Sequence, residues 1–326
     1  METILVTGGA GFIGSHVCEQ LLKLGYKVIC VDNFDKYYSQ EIKKNNIRNF
    51  LENKNFYFHE NNICNFNDLE KVFSENKINK VIHLAAKVGV RSSINNPSIY
   101  EKINVKGTLN LLELSSRFKI KNFIFTSSSS VYGVNKTPFS EKDKTRKIIS
   151  PYGLTKRTGE ILCKLYSELY NLDVICLRLF TVYGPRCRPD MAIYKFTKLI
   201  LEGNEVLIYG DGDIKRDYTN IKDVVNGILS ALNKKFRFEI INIGNSNPIK
   251  LQRIISLIEK NLNKKSKLKL LPKQEGDVPI THADISKAKR LLGYEPKVNI
   301  EIGIKKIVDY FITKDIKKKD IHKIEL

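Results

Sequence analysis

The sequence predicts an α/β protein whose main domain is a doubly wound parallel sheet, with a smaller, partly interleaved C-terminal α/β lobe. Short β-branched runs alternate with amphipathic helical stretches through the first half of the chain, as in a parallel sheet covered by helices. A glycine-rich turn, "TGGAGFIG", follows the first run directly. The length of 326 residues allows a second, smaller unit. These observations together predict a main domain of the Rossmann type.

Each predicted strand is a short apolar run bounded by polar or turn residues. In chain order the runs are "TILVTG", "KVICVDN", "NFYFHENN", "KVIHLAA", "NFIFTSSSS" and "DVICLRLF", and "EIINIGN" is expected to return later to the same sheet. After Phe180 the rhythm loosens into Gly-, Pro- and Asp-rich loops between helices. We therefore assign residues 1–180 and about 220–248 to the main domain and about 181–219 and 249–313 to the lobe. Residues 314–326 are expected to form a flexible basic tail.

The composition excludes several classes of protein. The formal net charge is +20, but the lysines are spread along the chain and form no nucleic-acid-binding motif, so we expect no nucleic-acid partner. No apolar run approaches the roughly 20 residues of a membrane span, and we expect no signal peptide before the first strand. The six cysteines form no CxxC pair. We therefore expect free thiols, no metal site, no membrane insertion and a cytoplasmic protein.

The glycine turn predicts a nucleotide site. Gly8, Gly11 and Gly14 have the spacing GxxGxxG between a strand and a helix, which allows a tight turn and offers helix N–H groups to a pyrophosphate. The next strand ends in Asp32, at the distance expected for the acid that binds an adenosine ribose. A carboxylate there repels a 2′-phosphate, so NAD is favoured over NADP. A structural turn without a ligand is the alternative.

A tyrosine and a lysine predict the chemistry. "SPYGLTK" places Tyr152 and Lys156 four residues apart, on one face of a predicted helix. A phenol with a pKa of about 10 is a poor base at neutral pH, and a nearby ammonium group stabilises its phenolate. "TSSSSVYG" stands at the end of a predicted strand, where an open α/β sheet gathers its active site.

These segments together resemble the extended short-chain dehydrogenases/reductases, in the subgroup that acts on nucleotide-diphosphate sugars. The resemblance covers nearly the whole chain. It rests on "TGGAGFIG", Asp32 and Asn33, "HLAA", "NVKGTLNLLE", "SSSSVYG", "SPYGLTK", "LRLFTVYGPRCRPDMA", "GDIKRDYTNIKDVV", "INIGN" and "GDVPITHADISKAKRLLGYEP". It implies an NAD that is tightly bound and recycled in the main domain, a UDP-sugar between that domain and the lobe, and a homodimer that includes the Tyr152 helix.

The resemblance also implies site residues. Tyr152 is the expected base, Lys156 its partner and Ser128 the hydroxyl of the catalytic triad. The expected cofactor-binding residues are Gly8, Gly11, Phe12, Ile13, Gly14, Asp32, Asn33, Asn62, Ile63, Leu84, Ala85, Ala86, Asn104, Tyr152 and Lys156. The expected substrate-binding residues are Ser128, Ser129, Ser130, Thr181, Arg188, Tyr209 and Arg216. One departure is Asn62, where the family commonly has Asp; its amide oxygen still accepts a hydrogen bond from an adenine amino group.

Two local features select the reaction within this subgroup. Dehydratases and uronate decarboxylases of the family usually carry an acid directly before "VYG", where this chain has Ser130. The stretch from Thr181 to Ala192 most resembles UDP-glucuronate 4-epimerases, because glucose epimerases tend to have Asn in place of Thr181. We therefore expect 4-epimerisation of UDP-glucuronate to UDP-galacturonate for surface polysaccharide synthesis.

Other functions remain open at this stage. The next candidates are a UDP-glucose or UDP-N-acetylglucosamine 4-epimerase, then a UDP-glucuronate decarboxylase or a sugar-nucleotide 4,6-dehydratase. An NAD-sensing regulatory protein on the same fold is a further alternative, although such proteins typically lose the Tyr or the Lys, and this chain keeps both.

The segment "TVYGPRCRPDMA" carries two arginines with different expectations. Arg188 matches the substrate-cleft arginine of the family and is expected to bind a phosphate or carboxylate, since a guanidinium group suits both. Arg186 has no such match and is expected at the rim or in solvent.

Overall fold

The strands form three sheets in a computed structural model that describes residues 1–210, 212–272 and 278–324, with side chains described as far as residue 313. The strands are β1 (Thr3–Thr7), β2 (Lys27–Asp32), β3 (Phe56–Glu60), β4 (Lys80–His83), β5 (Asn122–Ser128), β6 (Val174–Leu179), β7 (Thr181–Tyr183), β8 (Glu205–Tyr209), β9 (Lys215–Asn220), β10 (Phe238–Ile243), β11 (Pro248–Lys250) and β12 (Lys267–Leu271).

Helices connect most of these strands. They are α1 (Phe12–Lys23), α2 (Gln40–Ile47), α3 (Phe66–Glu75), α4 (Val90–Asn95), α5 (Pro97–Tyr100), α6 (Gly107–Arg117), α7 (Pro151–Tyr170), α8 (Ala192–Glu202), α9 (Ile221–Leu232), α10 (Leu251–Leu262), α11 (Ser286–Leu292) and α12 (Ile300–Ile324). A π-helical turn (Glu101–Lys106) leads into α6, and a 3₁₀ turn (Ser129–Tyr132) follows β5.

The central sheet has seven strands in the order β10-β6-β5-β4-β1-β2-β3. Every neighbouring pair in it is parallel. The chain runs outward from β1 through β2 and β3, then crosses back to β4 on the other side of β1. An open sheet binds its ligand outside the carboxyl ends of the strands at such a reversal. The predicted doubly wound sheet is confirmed, including the return of "EIINIGN" as β10.

The sheet is covered on both faces because its strands are apolar on both sides. One core contains Ile4 and Val6 of β1 together with side chains of α1 and α9. The opposite core contains Leu5 of β1 with side chains of α3, α6 and α7. Helix α7 therefore lies against β5 and β6, which brings its first turn to the carboxyl end of the sheet.

A third core lies outside the large sheet. Apolar side chains of α8, β8, α10 and α12 form it, next to a three-stranded sheet (β11-β9-β7) and a pair of parallel strands (β12-β8). Residues 283–294 return to the core of the large sheet, where Ala283, Leu292 and Tyr294 are buried. This segment falls within the range that the sequence assigns to the lobe.

Helix α12 ends the described part of the chain at Ile324. The tail expected at 314–326 begins inside this helix, and its side chains lie outside the described residues. Across the described ranges, none of the helices combines the length and the apolar character that crossing a bilayer requires.

Candidate active site

A cleft of about 340 Å³ opens at the carboxyl ends of β1, β2, β4, β5 and β6. Most of the site residues predicted from the sequence line it. They are Gly8, Gly11, Phe12, Ile13, Gly14, Asp32, Asn33, Asn62, Ile63, Leu84, Ala85, Ala86, Ser128, Ser129, Ser130, Tyr152, Lys156, Thr181 and Arg188. Asn104, Tyr209 and Arg216 do not line this cleft.

The glycine turn forms one end of the cleft from backbone alone. Gly8 has φ +70°, and a Cβ atom there would lie 2.7 Å from the backbone nitrogen of Ala85. A Cβ on Gly14 would lie 2.1 Å from the carbonyl oxygen of Gly8. Both distances are too short for any side chain, so the turn and the end of β4 approach each other as only glycine allows. The first turn of α1 then directs its N–H groups into the cleft.

Asp32 is held at the end of β2 by backbone donors. Its two carboxylate oxygens accept hydrogen bonds from the N–H of Ala10 (3.1 Å) and of Phe34 (2.9 Å). Burial raises the pKa of Asp32, and the Lys43 ammonium group and both N–H donors oppose that rise. The side chain faces the cleft with one side, which leaves carboxylate lone pairs for a ribose hydroxyl.

His83, the last residue of β4, precedes the segment that lines the cleft. Its ring is buried between two threonines. Its Nδ1 lies 2.8 Å from the Thr7 hydroxyl and its Nε2 lies 3.0 Å from the Thr108 hydroxyl. Thr108 donates its only hydroxyl proton to the carbonyl of Asn104, so it accepts from His83 Nε2–H. His83 is therefore neutral with a bare Nδ1, and burial accordingly lowers its pKa well below the usual value.

Asn104 bonds the segment after β4 and helix α7. Its side-chain amide accepts from the N–H of Lys87 (2.8 Å) and donates to the carbonyl of Lys87 and the hydroxyl of Thr155, both at 3.0 Å. Asn104 is 2% exposed. It therefore connects the segment after β4 with α7 from behind the cleft wall instead of lining the cleft.

Tyr152 lies at the start of α7, facing the end of β5. Ser150 caps this helix by accepting from the N–H of Gly153, which fixes the first turn. Burial raises the pKa of Tyr152, whereas the Ser128 hydroxyl and the Arg188 guanidinium group lower it. The structure thus brings Tyr152 and Ser128 together as expected.

Lys156 bonds the end of β5, and its predicted action on Tyr152 stays a prediction. Its ammonium group donates to the carbonyl of Thr126 at 2.7 Å, and burial lowers its pKa to about 8. The positive charge of Arg188 lowers the pKa of Tyr152 and so favours its phenolate. Lys156 still lines the cleft, where its charge is available to a bound molecule.

The serines after β5 form a tight hydroxyl-rich turn. The Ser128 hydroxyl accepts from the N–H of Ser130 and donates to the Ser130 hydroxyl, both at 3.1 Å. Ser129 and Ser130 continue as the 3₁₀ turn that ends at Tyr132. Ser128, Ser129 and Ser130 therefore line the cleft from one turn of chain, and Thr181 of β7 lines it as well.

The two arginines of the segment 181–192 have separate partners. Arg188 forms a bidentate pair with Asp190, with Nε–Oδ1 and Nη2–Oδ2 distances of 2.9 Å, and Tyr37 donates a longer bond to the same carboxylate (3.3 Å). Arg186 pairs with Glu19 and lies 3.0 Å from His16 Nδ1, both on α1. Arg188 lies in the cleft as expected, but Arg186 is not a solvent-exposed side chain, because this ion pair ties the segment to α1.

Tyr209 and Arg216 line a second pocket of about 260 Å³ on the side of the third core. The two pockets share Thr181, Val182 and Met191 as lining residues, so they adjoin at these residues. Within the second pocket the Arg91 guanidinium group stacks over the Tyr209 ring at 5.0 Å. Arg216 donates through Nη1 to the carbonyl of Val278 (2.7 Å).

Sequence reasoning missed several cleft residues. Tyr37, Lys43 and Lys87 line the first pocket, and Arg91 lines the second. Lys87 pairs with Asp35 at 2.8 Å, and Lys43 donates to the carbonyl of Asp35 at 2.7 Å. They lie in segments that follow β2 and β4. Their position after the carboxyl end of a strand was the one feature of the sequence that could have identified them as cleft residues.

Comparison with known proteins places the chain in a family. The family model described as GDP-mannose 4,6 dehydratase matches residues 5–307. The chain belongs to this family. It is thus an extended short-chain dehydrogenase/reductase, as the sequence motifs indicated.

Its relatives include proteins of known name. A UDP-glucuronate 4-epimerase of Thermodesulfobacterium geofontis is 44% identical over 311 residues, which cover 95% of this chain and 96% of that protein. The crystal structure of UDP-glucuronic acid 4-epimerase from Bacillus cereus, in complex with UDP-glucuronic acid and NAD, has a TM-score of 0.91 at 40% identity and covers 95% of this chain and 99% of the other. A UDP-glucose 4-epimerase from Thermotoga maritima, solved with UDP-glucose, has a TM-score of 0.87 at 37% identity, with coverage of 96% and 99%.

Proposed function

We propose that this protein is an NAD-dependent 4-epimerase that converts UDP-glucuronate to UDP-galacturonate through a 4-keto sugar. The observation that carries the proposal is that two pockets adjoin at Thr181, Val182 and Met191. The glycine turn, Ser128 and Tyr152 line the first pocket, and residues of the lobe line the second. A dinucleotide in the first and a UDP-sugar in the second would meet there. The two UDP-glucuronate 4-epimerases described above support this substrate.

The first pocket fits NAD. The backbone of Gly8, Gly11 and Gly14 leaves space that a Cβ atom would fill, and the N-terminus of α1 suits a pyrophosphate. Asp32 stands where the adenosine ribose would lie and disfavours a 2′-phosphate. The chemistry that bound NAD supplies is reversible hydride transfer at C4 of the sugar.

The chain's own residues manage the proton. Tyr152 takes the proton of the C4 hydroxyl group, and Ser128, in contact with Tyr152, holds the same oxygen by a hydrogen bond. Arg188 favours the phenolate by its charge. Lys156 stabilises the end of β5 through Thr126 and presents a second positive charge to the cleft.

A UDP-glucuronate substrate makes one demand that a neutral sugar does not. Its 4-keto form is a β-keto acid, which loses CO₂ when the carboxylate bond aligns with the carbonyl π-system. The hydroxyl groups of Ser129, Ser130 and Thr181 are suited to hold the carboxylate out of that alignment. Hydrogen bonds to a charged group contribute about 1.5–3 kcal/mol each, which is enough to select a rotamer. Ser130 also stands where the dehydratases and decarboxylases of the family carry an acid.

The test is product identification with purified protein. UDP-glucuronate and UDP-glucose are supplied separately, and the products are resolved by chromatography. We expect UDP-galacturonate from UDP-glucuronate and little turnover of UDP-glucose. Preferential turnover of UDP-glucose would show that the proposed substrate is wrong and that UDP-glucose is the substrate, as the name of the Thermotoga maritima relative would support. Variants Ser130→Ala and Thr181→Ala should release UDP-pentose. If neither variant releases UDP-pentose or loses activity, the hydroxyl restraint is wrong.

The proposed assembly is a homodimer formed through α7. Leu154, Ile161, Leu165 and Leu169 recur along one side of this helix and are each 45–62% exposed, an apolar stripe that a second copy would cover. The family that the sequence resembles is expected to dimerise through this helix. Light scattering should show a dimer for the natural chain and a monomer for Leu165→Glu.

The proposed setting is the cytoplasm, where UDP-sugars and NAD are available, with the product feeding surface polysaccharide. The cysteines within the described residues are free thiols, five of them buried, as suits a reducing compartment. Deletion of the gene should remove galacturonate from the cell-surface polysaccharide while UDP-glucuronate accumulates.

A further inference from the structure

A buried ion pair lies directly behind the serine turn. Arg178 of β6 and Glu160 of α7 are 2% and 0% exposed, and the guanidinium group meets the carboxylate with Nε–Oε1 and Nη2–Oε2 distances of 2.8 and 2.9 Å. The pair raises the pKa of Arg178 and holds that of Glu160 below its usual value. Both groups are therefore charged inside the protein.

Stability alone is a poor reason for such a pair. Removing two charges from water costs several kcal/mol per ion, and apolar side chains of similar volume often stabilise a core equally well. Arg178 Nη1 also has no hydrogen-bond partner among the described residues. A costly group at this position calls for a role beyond packing.

The pair contacts both ends of the serine turn. At one end, the Ser127 hydroxyl donates to Glu160 Oε1 at 2.6 Å, and Ser127 directly precedes Ser128. At the other end, the Arg178 guanidinium group lies over the Tyr132 ring at 4.7 Å. Tyr132 ends the 3₁₀ turn and donates to Asn242 at 2.7 Å. The four residues between these ends are Ser128, Ser129, Ser130 and Val131. The three serines of the turn therefore lie between two contacts with the same ion pair.

We propose that Glu160 and Arg178 are positioning residues that hold the hydroxyl groups of Ser128 and Ser130 in place for the reaction. The proposal rests on the proposed function. The pair acts on Ser128, which orients the C4 oxygen, and on Ser130, which restrains the carboxylate. A shift of the turn by a fraction of an ångström changes both hydrogen bonds at once. A loosened pair therefore lowers turnover and releases the keto acid to decarboxylation.

The experiment compares two variants that alter the same carboxylate from different sides. Glu160→Gln keeps the side-chain volume but removes the negative charge, and its NH₂ group cannot replace the second of the two oxygens that accept from Arg178. Its matched control is Arg157→Gln. Arg157 is partly exposed and donates to Glu160 Oε2 at 2.9 Å. Among the hydrogen bonds of the described residues it has none with Ser127 or Tyr132. Each NAD-loaded variant is given UDP-glucuronate, and turnover, KM and the ratio of UDP-pentose to UDP-galacturonate are measured.

We expect Glu160→Gln to lower kcat about tenfold or more, to leave KM within about twofold and to raise the UDP-pentose ratio, while Arg157→Gln stays near the natural protein in all three. A merely structural role would lower the melting temperature without changing the product ratio of the folded enzyme. If Glu160→Gln fails to fold, Ser127→Ala decides the proposal by the same ratio, because it leaves both charges paired. An unchanged product ratio and kcat in the folded variant would overturn the proposal. Failure of the natural protein to make UDP-galacturonate would instead overturn the proposed function.

Discussion

Different interactions hold the two walls of the cleft. We call the glycine turn (residues 8–14) and Asp32 the nucleotide wall, and the serine turn (residues 128–130) with the segment 181–192 the sugar wall. The nucleotide wall is mostly backbone: it consists of a glycine turn, a helix N-terminus and strand ends whose positions follow from main-chain geometry. The sugar wall is mostly side chains, held by ion pairs and hydrogen bonds between residues far apart in sequence, as in Arg178–Glu160 and Arg186–Glu19. From this difference we expect that substitutions at a few glycine positions disrupt the nucleotide wall severely. Substitutions in the sugar wall should instead have graded effects on substrate binding and turnover.

The largest expected effect tests the backbone wall. Gly8→Ala adds a Cβ atom 2.7 Å from the backbone of Ala85 at a residue with φ +70°, so both strain and a clash with main chain oppose it. We expect a loss of about 3 kcal/mol or more in the free energy of unfolding and at least a hundredfold weaker NAD binding, measured by denaturant titration and calorimetry.

Gly25→Ala is the matched control for that change. Gly25 has φ +80° but nothing within 4 Å of an added Cβ atom, so only the strain of about 1 kcal/mol remains. Similar losses for the two alanine variants would show that the close approach to β4 is not what makes the wall intolerant.

The next effect separates the two arginines of the sugar wall. Arg188→Ala removes a cleft guanidinium group and leaves the Asp190 carboxylate without its cationic partner, facing an anionic substrate. We expect KM for UDP-glucuronate to rise roughly 10- to 100-fold, the equivalent of about 1.5–3 kcal/mol, with little change in unfolding. Arg186→Ala should do the reverse, costing about 1 kcal/mol of stability with KM nearly unchanged. Equal effects of both changes on KM would remove the distinction between them.

Acid should loosen the attachment of the sugar wall to α1. His16 is neutral there, since Nε2 donates to the carbonyl of Pro185 and Nδ1 accepts from Arg186; burial first, and then Arg186, lower its pKa from 6.5 to about 4. The unfolded chain binds the proton more readily, so stability is lost as pH falls from about 6.5 towards 4. We expect this loss to reach about 2 kcal/mol, measured by denaturant unfolding across that range.

His16→Asn, which retains a polar side chain without a titrating ring, is the control for the acid effect. Its stability should vary less over the same pH range than that of the natural protein. An identical pH dependence in both proteins would assign the acid sensitivity to other groups.

The smallest expected effect lies where the two walls meet. Burial lowers the pKa of Lys156 to about 8, so the ammonium group loses its proton above that pH and its positive charge disappears from the cleft. We expect kcat to decline several-fold above pH about 8. Lys156→Arg, which keeps its charge, should show a lower kcat without this decline. A decline at the same pH in the arginine variant would exclude Lys156 as its source.

Sequence reasoning succeeded where function depends on local backbone. The seven strands of the central sheet, the glycine turn and the position of Asp32 follow from short-range patterns, because strand ends and glycine spacing determine where main-chain donors point. The pairing of Tyr152 with Ser128 was also expected, through strand-end placement and family resemblance.

Sequence reasoning did not identify the distant partners of individual side chains. Asn104, predicted to bind the cofactor, bonds Lys87 and Thr155. Lys156, predicted to act on Tyr152, donates to Thr126. Arg186, expected at the rim or in solvent, pairs with Glu19. No local pattern carries this information, because each side chain had several feasible partners in sequence terms.

By itself, the sequence determined the sheet, the nucleotide turn and the residues available for chemistry, since these depend on periodicity, on glycine and on residue type. The tertiary structure decided which charges meet: Arg188 near Tyr152, Glu160 with Arg178 behind the serines, and His16 under Arg186. These pairings depend on the distances between segments and on burial, which determines how strongly two charges interact. Both are properties of the packed chain and not of any stretch of it.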